Sequence, residues 1–255
     1  MIKDVMAAIA AAARKLFSNW GALVISFLLF AVLWSAGYLF ATTRLATTLL
    51  VWLNALLLPL VALITFFTWQ AMGLSYVRIG VGAGYLFKRA LQDCWKLLLA
   101  SVPVLLLAWL VVYLLAKADA KWVADVEKPQ RWIVLTLTWG KAVLLYLMLP
   151  LMAIHCWLAA IREGLKGALK GLFRHLARAF APRAILIYVL VWVIFGALAY
   201  LAFFTKTPIK SDWAELWVVG ARFAVGWLLL FGGWMVTLGA LAESSARRAL
   251  GDLEV

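Results

Sequence analysis

Hydrophobic positions in this chain form six long apolar stretches, and all but two of the charged residues lie outside them, in the segments between them and at the termini. The stretches occupy residues 20–41, 46–71, 97–116, 133–160, 184–204 and 217–241. An α-helix needs about 20 mainly apolar residues to cross the hydrocarbon core of a bilayer, and each stretch meets that length. The pattern therefore predicts an all-α polytopic membrane protein with six transmembrane helices.

The composition points the same way. Hydrophobic residues make up 67% of the 255 residues and charged residues 14%, whereas soluble domains are about 45–50% apolar. A chain of this length cannot bury so much apolar surface in its own core, so a bilayer must solvate it.

The distribution of Lys and Arg predicts the orientation of the helices. Fifteen of them lie in the terminal segments and the loops after the second and fourth stretches, and seven lie in the other loops. Because cytoplasmic loops carry the excess of basic residues, we expect both termini in the cytoplasm of a bacterial-type inner (plasma) membrane. The formal net charge of +13 is then a membrane feature, and no nucleic-acid partner is expected.

An internal repeat is indicated by landmarks that recur along the chain. A Leu-Phe pair begins at Leu16, Leu86 and Leu172, each time in a partly basic stretch before a span. Pro59 and Pro150 mark matching points of the second and fourth spans. The landmarks predict three repeated hairpins, each preceded by a basic amphipathic interfacial helix.

The predicted repeat units are residues 1–72, 73–160 and 161–255 of a single membrane domain. The third unit opens with the fullest copy of the basic stretch, residues 162–183, here named the cationic segment. On a helical wheel five of its cations form an i, i+4 ladder beside an apolar sector, which predicts one amphipathic helix on anionic headgroups at the cytoplasmic face. The ladder comprises Arg162, Lys166, Lys170, Arg174 and Arg178. The alternative is that the apolar sector docks on the bundle or on a partner subunit.

Two cations, Lys141 and Arg222, fall inside predicted spans, where a charge is costly. They stand at related positions of the repeat and have no Asp or Glu within the spans as counter-ion. One hypothesis is that they contact an anionic substrate or lipid in a cavity. The other is that each side chain extends from the outer part of its helix to the interface.

Intramembrane His155 is a candidate haem or pigment ligand, although no second intramembrane His is available for bis-His ligation. The alternative is a neutral imidazole hydrogen-bonded to a neighbouring helix. We expect no metal and no cofactor. Glycines of the last span, Gly226, Gly232, Gly233 and Gly239, indicate close helix packing. Deep tryptophans, among them Trp109, Trp192, Trp227 and Trp234, are expected to pack against helices, lipid tails or another subunit.

No catalytic constellation is present in the sequence, so an enzyme is not expected. The basic lead-ins KRALQDCWKLLLASV and RHLARAFAPRAILIY resemble those of bacterial six-span families, such as the membrane domain of some glycerophosphodiesterases and the YihY-like proteins. No residue role follows from that likeness. The sequence favours a non-catalytic accessory or scaffolding subunit of a membrane complex, or a lipid-associated protein. The alternative is a transporter or channel for an anionic or amphipathic substrate using Lys141 and Arg222.

Overall fold

Helices make up all the regular structure in the described part of the chain. The computed structural model describes residues 1–43, 47–77, 82–124, 130–205 and 212–251, and of 124, 212 and 247–251 only the backbone. The helices are α1 (Ile2–Ser18), α2 (Trp20–Thr42), α3 (Thr48–Ser75), α4 (Ala83–Asp119, continued by a π-helical turn Ala120–Ala124), α5 (Arg131–Arg162), α6 (Gly164–Lys170), α7 (Leu172–Arg178), α8 (Pro182–Phe204) and α9 (Asp212–Gly251). Basic residues of the predicted loops that lie outside the described residues are Arg44, Arg78, Lys128, Lys206 and Lys210.

Six of these helices, α2, α3, α4, α5, α8 and α9, are long and apolar enough to cross a membrane. The six-helix prediction is confirmed at this level. One boundary differs by a full lead-in, because α4 begins at Ala83 and the predicted span begins at residue 97. Residues 85–102 contain neither Gly nor Pro, so nothing ends the lead-in helix before the span.

The chain divides into two compact units, of which the first comprises Met1–Trp95 and Leu186–Val255. In this unit α1 packs against α9 through a buried stripe, Val5, Ala8, Ala12 and Leu16. The spacing of three or four residues keeps the stripe on one face of the helix. An ion pair between Lys15 and Glu243, with 2.8 Å between Nζ and Oε2, fixes the end of the contact. The apolar face of α1 is thus covered by protein.

Aromatic rings fill the space between α2, α3 and α9 in the same unit. The ring of Trp34 lies 4.2 Å from that of Trp227, and Phe231 stacks on Trp69 at 6.2 Å. Trp234 donates a hydrogen bond from Nε1 to the side-chain oxygen of buried Gln70 (2.8 Å). Two of the deep tryptophans therefore pack inside the unit, whereas Trp109 and Trp192 are exposed.

Three glycines of α9 lie under aromatic side chains, as the close-packing interpretation predicts. A Cβ at Gly226 would collide with the ring of Phe203, one at Gly233 would lie 2.7 Å from Cβ of Phe195, and one at Gly239 would collide with the hydroxyl of Tyr76. That hydroxyl lies 3.1 Å from the Met235 carbonyl oxygen and 3.3 Å from that of Ala12, so it links α3 to α9 and α1. Gly232 has only ordinary contact distances.

The second unit is Lys96–Ile185. In this unit a hydrogen bond joins the last turns of α5 to α4: Trp157 donates from Nε1 to Oγ of Ser101, at 2.7 Å. Beyond α5 the chain folds back, and the short helix α7 packs on the last turns of α5.

Both α3 and α5 contain one π-helical turn, Leu53–Leu57 and Leu144–Met148. Each turn ends two residues before a proline, Pro59 or Pro150. A proline inside a helix lacks the N–H donor, and its ring clashes with the carbonyl four residues earlier. The wider turn moves that carbonyl away from the ring and lets the helix continue without a break.

Candidate functional site

The cationic segment is not the single helix that its periodicity predicts. The chain leaves the helical path at Glu163 and at Gly171, which separates α5, α6 and α7. Gly164 has φ +75°, a left-handed conformation in which glycine alone is free of strain from Cβ, so α5 ends there. Three glycines in eight residues also weaken the helix by up to about 1 kcal/mol each.

The five ladder cations remain on the surface although the helix is broken. Arg162, Lys166, Lys170, Arg174 and Arg178 are all exposed. Large apolar side chains accompany them: Phe173 is 86% exposed, and Leu169 and Phe180 are about half exposed. Different residues anchor the segment to the unit, namely the buried Ala168, His175 and Ala179. None of the Leu and Phe side chains of the segment is buried: Leu169, Phe173 and Phe180 are exposed, and the others are half-buried.

His175 is a buried titratable side chain that the sequence pattern did not single out. It is 1% exposed, and its Nε2 lies 3.4 Å from Oε2 of Glu163, without a hydrogen-bonding geometry. On the other side of the ring, Nδ1 lies 3.4 Å from the guanidinium of Arg178. The imidazole folds over Gly171, where a Cβ would come within 2.7 Å of Nε2. The only sequence signal was this glycine four residues before the histidine.

Burial lowers the pKa of His175 from its usual 6.5, as do the neighbouring guanidinium groups of Arg178 and Arg174. The carboxylate of Glu163 acts in the opposite direction and raises it. Arg174 in turn lies 3.7 Å from that carboxylate. The lowered pKa therefore favours the neutral imidazole, although three charged side chains face it.

Lys141 has a counter-ion that the predicted span limits excluded. Its Nζ lies 2.7 Å from Oδ2 of Asp119, and the two side chains are 32% and 45% exposed. The pair exists because α4 continues past residue 116, where the predicted span ended. Counting along the helices at 1.5 Å per residue, Asp119 lies about 27 Å from Ser101, and Lys141 about 24 Å from Trp157. The ion pair is therefore almost a full hydrocarbon thickness, about 30 Å, from the Ser101–Trp157 contact.

Arg222 binds a carbonyl group at the end of helix α8. Its Nε donates a hydrogen bond of 2.8 Å to the carbonyl oxygen of Ala202, in the last turn of α8. Carbonyls of a last turn have no partner within the helix, and a cation there is favoured by the helix dipole. Lys141 thus lies beside the end of α4, and Arg222 lies beside the end of α8. These positions favour the interfacial interpretation over a cavity in mid-membrane.

His155 has a hydrogen-bond partner in its own helix. Its Nδ1 lies 2.8 Å from the carbonyl oxygen of Leu151. This contact lies within α5, and the partner on a neighbouring helix stays a prediction. In the described part of the chain no three His, Cys, Asp or Glu side chains form a group suited to a metal ion.

Comparison with known proteins gives no assignment. No family model, no curated protein and no solved structure matches the chain.

Proposed function

We propose that this protein is a non-catalytic, lipid-associated membrane protein whose cationic segment contacts anionic headgroups on the side of the termini. The observation that carries the proposal is the exposure of all five ladder cations next to exposed Phe173. A cation near an anionic leaflet is worth about 1 kcal/mol, so five of them supply a substantial attraction. Phe173 and its apolar neighbours would enter the boundary between headgroups and acyl chains.

A lipid-binding measurement on the full-length protein tests this proposal. The purified protein is exchanged into micelles that contain phosphatidylglycerol or phosphatidylcholine, and bound lipid is counted by native mass spectrometry. Replacing the five ladder cations with Gln should lower retention of phosphatidylglycerol at least about tenfold, which corresponds to about 1.4 kcal/mol. Retention of phosphatidylcholine should not change.

The matched control removes the same charge elsewhere on the surface. Its five substitutions are at exposed residues outside the segment: Lys3, Arg14, Lys88, Lys117 and Lys121. We expect this variant to keep most of its phosphatidylglycerol. Equal losses in the two variants would show that only net charge matters, and an unchanged ladder variant would refute the proposal.

The arrangement of three repeated hairpins is part of this proposal. It is supported by the matching π-helical turns, each ending two residues before Pro59 or Pro150. It is supported also by the intramembrane cations, since Lys141 and Arg222 each stand ten residues after the start of their helix.

We place the protein in a bacterial-type inner membrane with both termini in the cytoplasm, on the basis of the Lys and Arg distribution. Reporter fusions test this orientation. Alkaline phosphatase fused to either terminus should be inactive, and the same enzyme inserted between residues 125 and 129, in the predicted outer segment, should be active. An active terminal fusion would reverse the orientation. Attachment to a larger complex as an accessory subunit remains part of the proposal, and co-purification in mild detergent would detect it.

A further inference from the structure

His175 holds the cationic segment to the rest of its unit through a buried side chain. Helix α7 packs on α5 and, to a smaller extent, on α6, and the charged groups that face the imidazole are Glu163, Arg174 and Arg178. The other charged side chains of α6 and of the last turn of α5 are exposed, namely Arg162, Lys166 and Lys170. The imidazole is therefore the one buried titratable group among the described residues of the cationic segment.

The neutral imidazole fits this position. With its proton on Nε2, the ring carries its N–H on the nitrogen that lies 3.4 Å from Oε2 of Glu163, and it offers the lone pair of Nδ1 to the guanidinium of Arg178. Both ring nitrogens then face groups of suitable character, and no charge is buried.

The protonated imidazole does not fit. Nδ1 becomes a donor, so it can no longer accept from Arg178, and two cations then stand 3.4 Å apart. A charge is also buried in a site that has only Glu163 to balance it, while Arg174 already pairs with that carboxylate. Protonation weakens the attachment of α7 and adds one positive charge to the segment.

We propose that His175 is a proton-controlled latch: in its neutral form it fixes the cationic segment to α5, and its protonation frees the segment to bind anionic lipid. This inference rests on the lipid contact proposed above and adds its regulation. The bound partner is the anionic leaflet itself, because the released segment carries one more positive charge, and its already exposed cations and apolar side chains are then free to adjust to the headgroup layer.

The sign of the pH dependence follows from the lowered pKa of His175. A histidine whose pKa is lower in the folded state stabilises that state fully above its unfolded pKa of about 6.5. The stabilisation is lost as the pH falls from there through the folded pKa. Lipid binding should therefore increase below about pH 6.5.

Phosphatidylglycerol binding by the full-length protein is measured from about pH 8 to about pH 4.5, together with hydrogen exchange of residues 164–180 corrected for intrinsic rates. In the unaltered protein we expect at least about threefold more bound lipid at the acid end, with faster exchange of the segment. The matched variant is His175→Gln, whose amide can donate towards Glu163 but cannot be protonated. It should bind as the unaltered protein does at pH 8 and should show no acid increase.

The outcomes separate the two proposals. Binding that is present but independent of pH, or an equal acid increase in His175→Gln, would overturn the latch and leave the lipid contact intact. Absence of phosphatidylglycerol binding at every pH would overturn the lipid contact, while acid-induced exchange could still support the latch. If His175→Gln does not fold, a His155→Gln variant leaves one histidine for NMR titration. A pKa of 6.5 or above in that spectrum would overturn the latch.

Discussion

Gly239 of α9 lies directly beneath the hydroxyl of Tyr76, the residue that follows α3. The glycine leaves room for the tyrosine hydroxyl, which reaches carbonyl oxygens of both α9 and α1. Buried polar groups of this kind are costly to leave without a partner, at about 1–3 kcal/mol. The contact therefore couples three helices through one side chain.

Substituting Gly239 tests this coupling. Gly239→Ala should destabilise the protein by about 2 kcal/mol or more, because the methyl group displaces Tyr76 and breaks its hydrogen bonds. Gly220→Ala is the matched control on the same helix, since a Cβ at Gly220 meets nothing within 4 Å. It should be neutral or stabilising by up to about 1 kcal/mol. Unfolding in mixed micelles with increasing SDS measures both, and equal effects would contradict the packing argument.

The ion pair of Lys141 and Asp119 makes a smaller contribution, because both side chains are partly exposed. We expect Lys141→Gln and Asp119→Asn each to cost roughly 0.5–1 kcal/mol, and the double variant to cost less than their sum. Arg131→Gln, an exposed position on the same helix, serves as control and should have no measurable effect. Additive single effects would mean that the pair does not interact in the membrane.

At the scale of elements, the three lead-ins show where the sequence pattern was sufficient. The sequence predicts a basic amphipathic helix in each of them, and the three segments differ in the structure. In α1 the stripe is buried against α9, in α4 the lead-in continues into the span, and in the third copy the helix breaks twice. Periodicity reports that a face is apolar, whereas what covers the face depends on tertiary contacts that a single segment does not encode.

The cationic segment shows the same limit within one element. The exposure of its cations was predictable from the sequence alone, because charged side chains are almost never fully buried unless they are paired. The breaks could have been suspected from Gly164 and Gly171. The burial of His175 could not, since it requires the fold-back of α7 onto α5, a contact between separate helices.

At the scale of the whole molecule, the number of membrane-length helices was predictable because the bilayer imposes a minimum apolar length on each of them. A spanning segment must satisfy its backbone internally and must be apolar over a fixed thickness, so sequence alone identifies it. The ion pairing of Lys141 was not predictable, since it depends on α4 extending to Asp119 and on the depth at which the two helices meet.

The π-helical turns of α3 and α5 change which residues share a face of each helix. A π turn accommodates one more residue than an α turn, so it is equivalent to a one-residue insertion. It rotates the preceding part of the helix by about 100° relative to the following part. In α5 the buried residues begin three residues after the turn, at Leu151, and none of the residues of α5 before it is buried. A helical wheel drawn through all 32 residues would therefore place the part of α5 before the turn about 100° from its true position relative to the part after the turn.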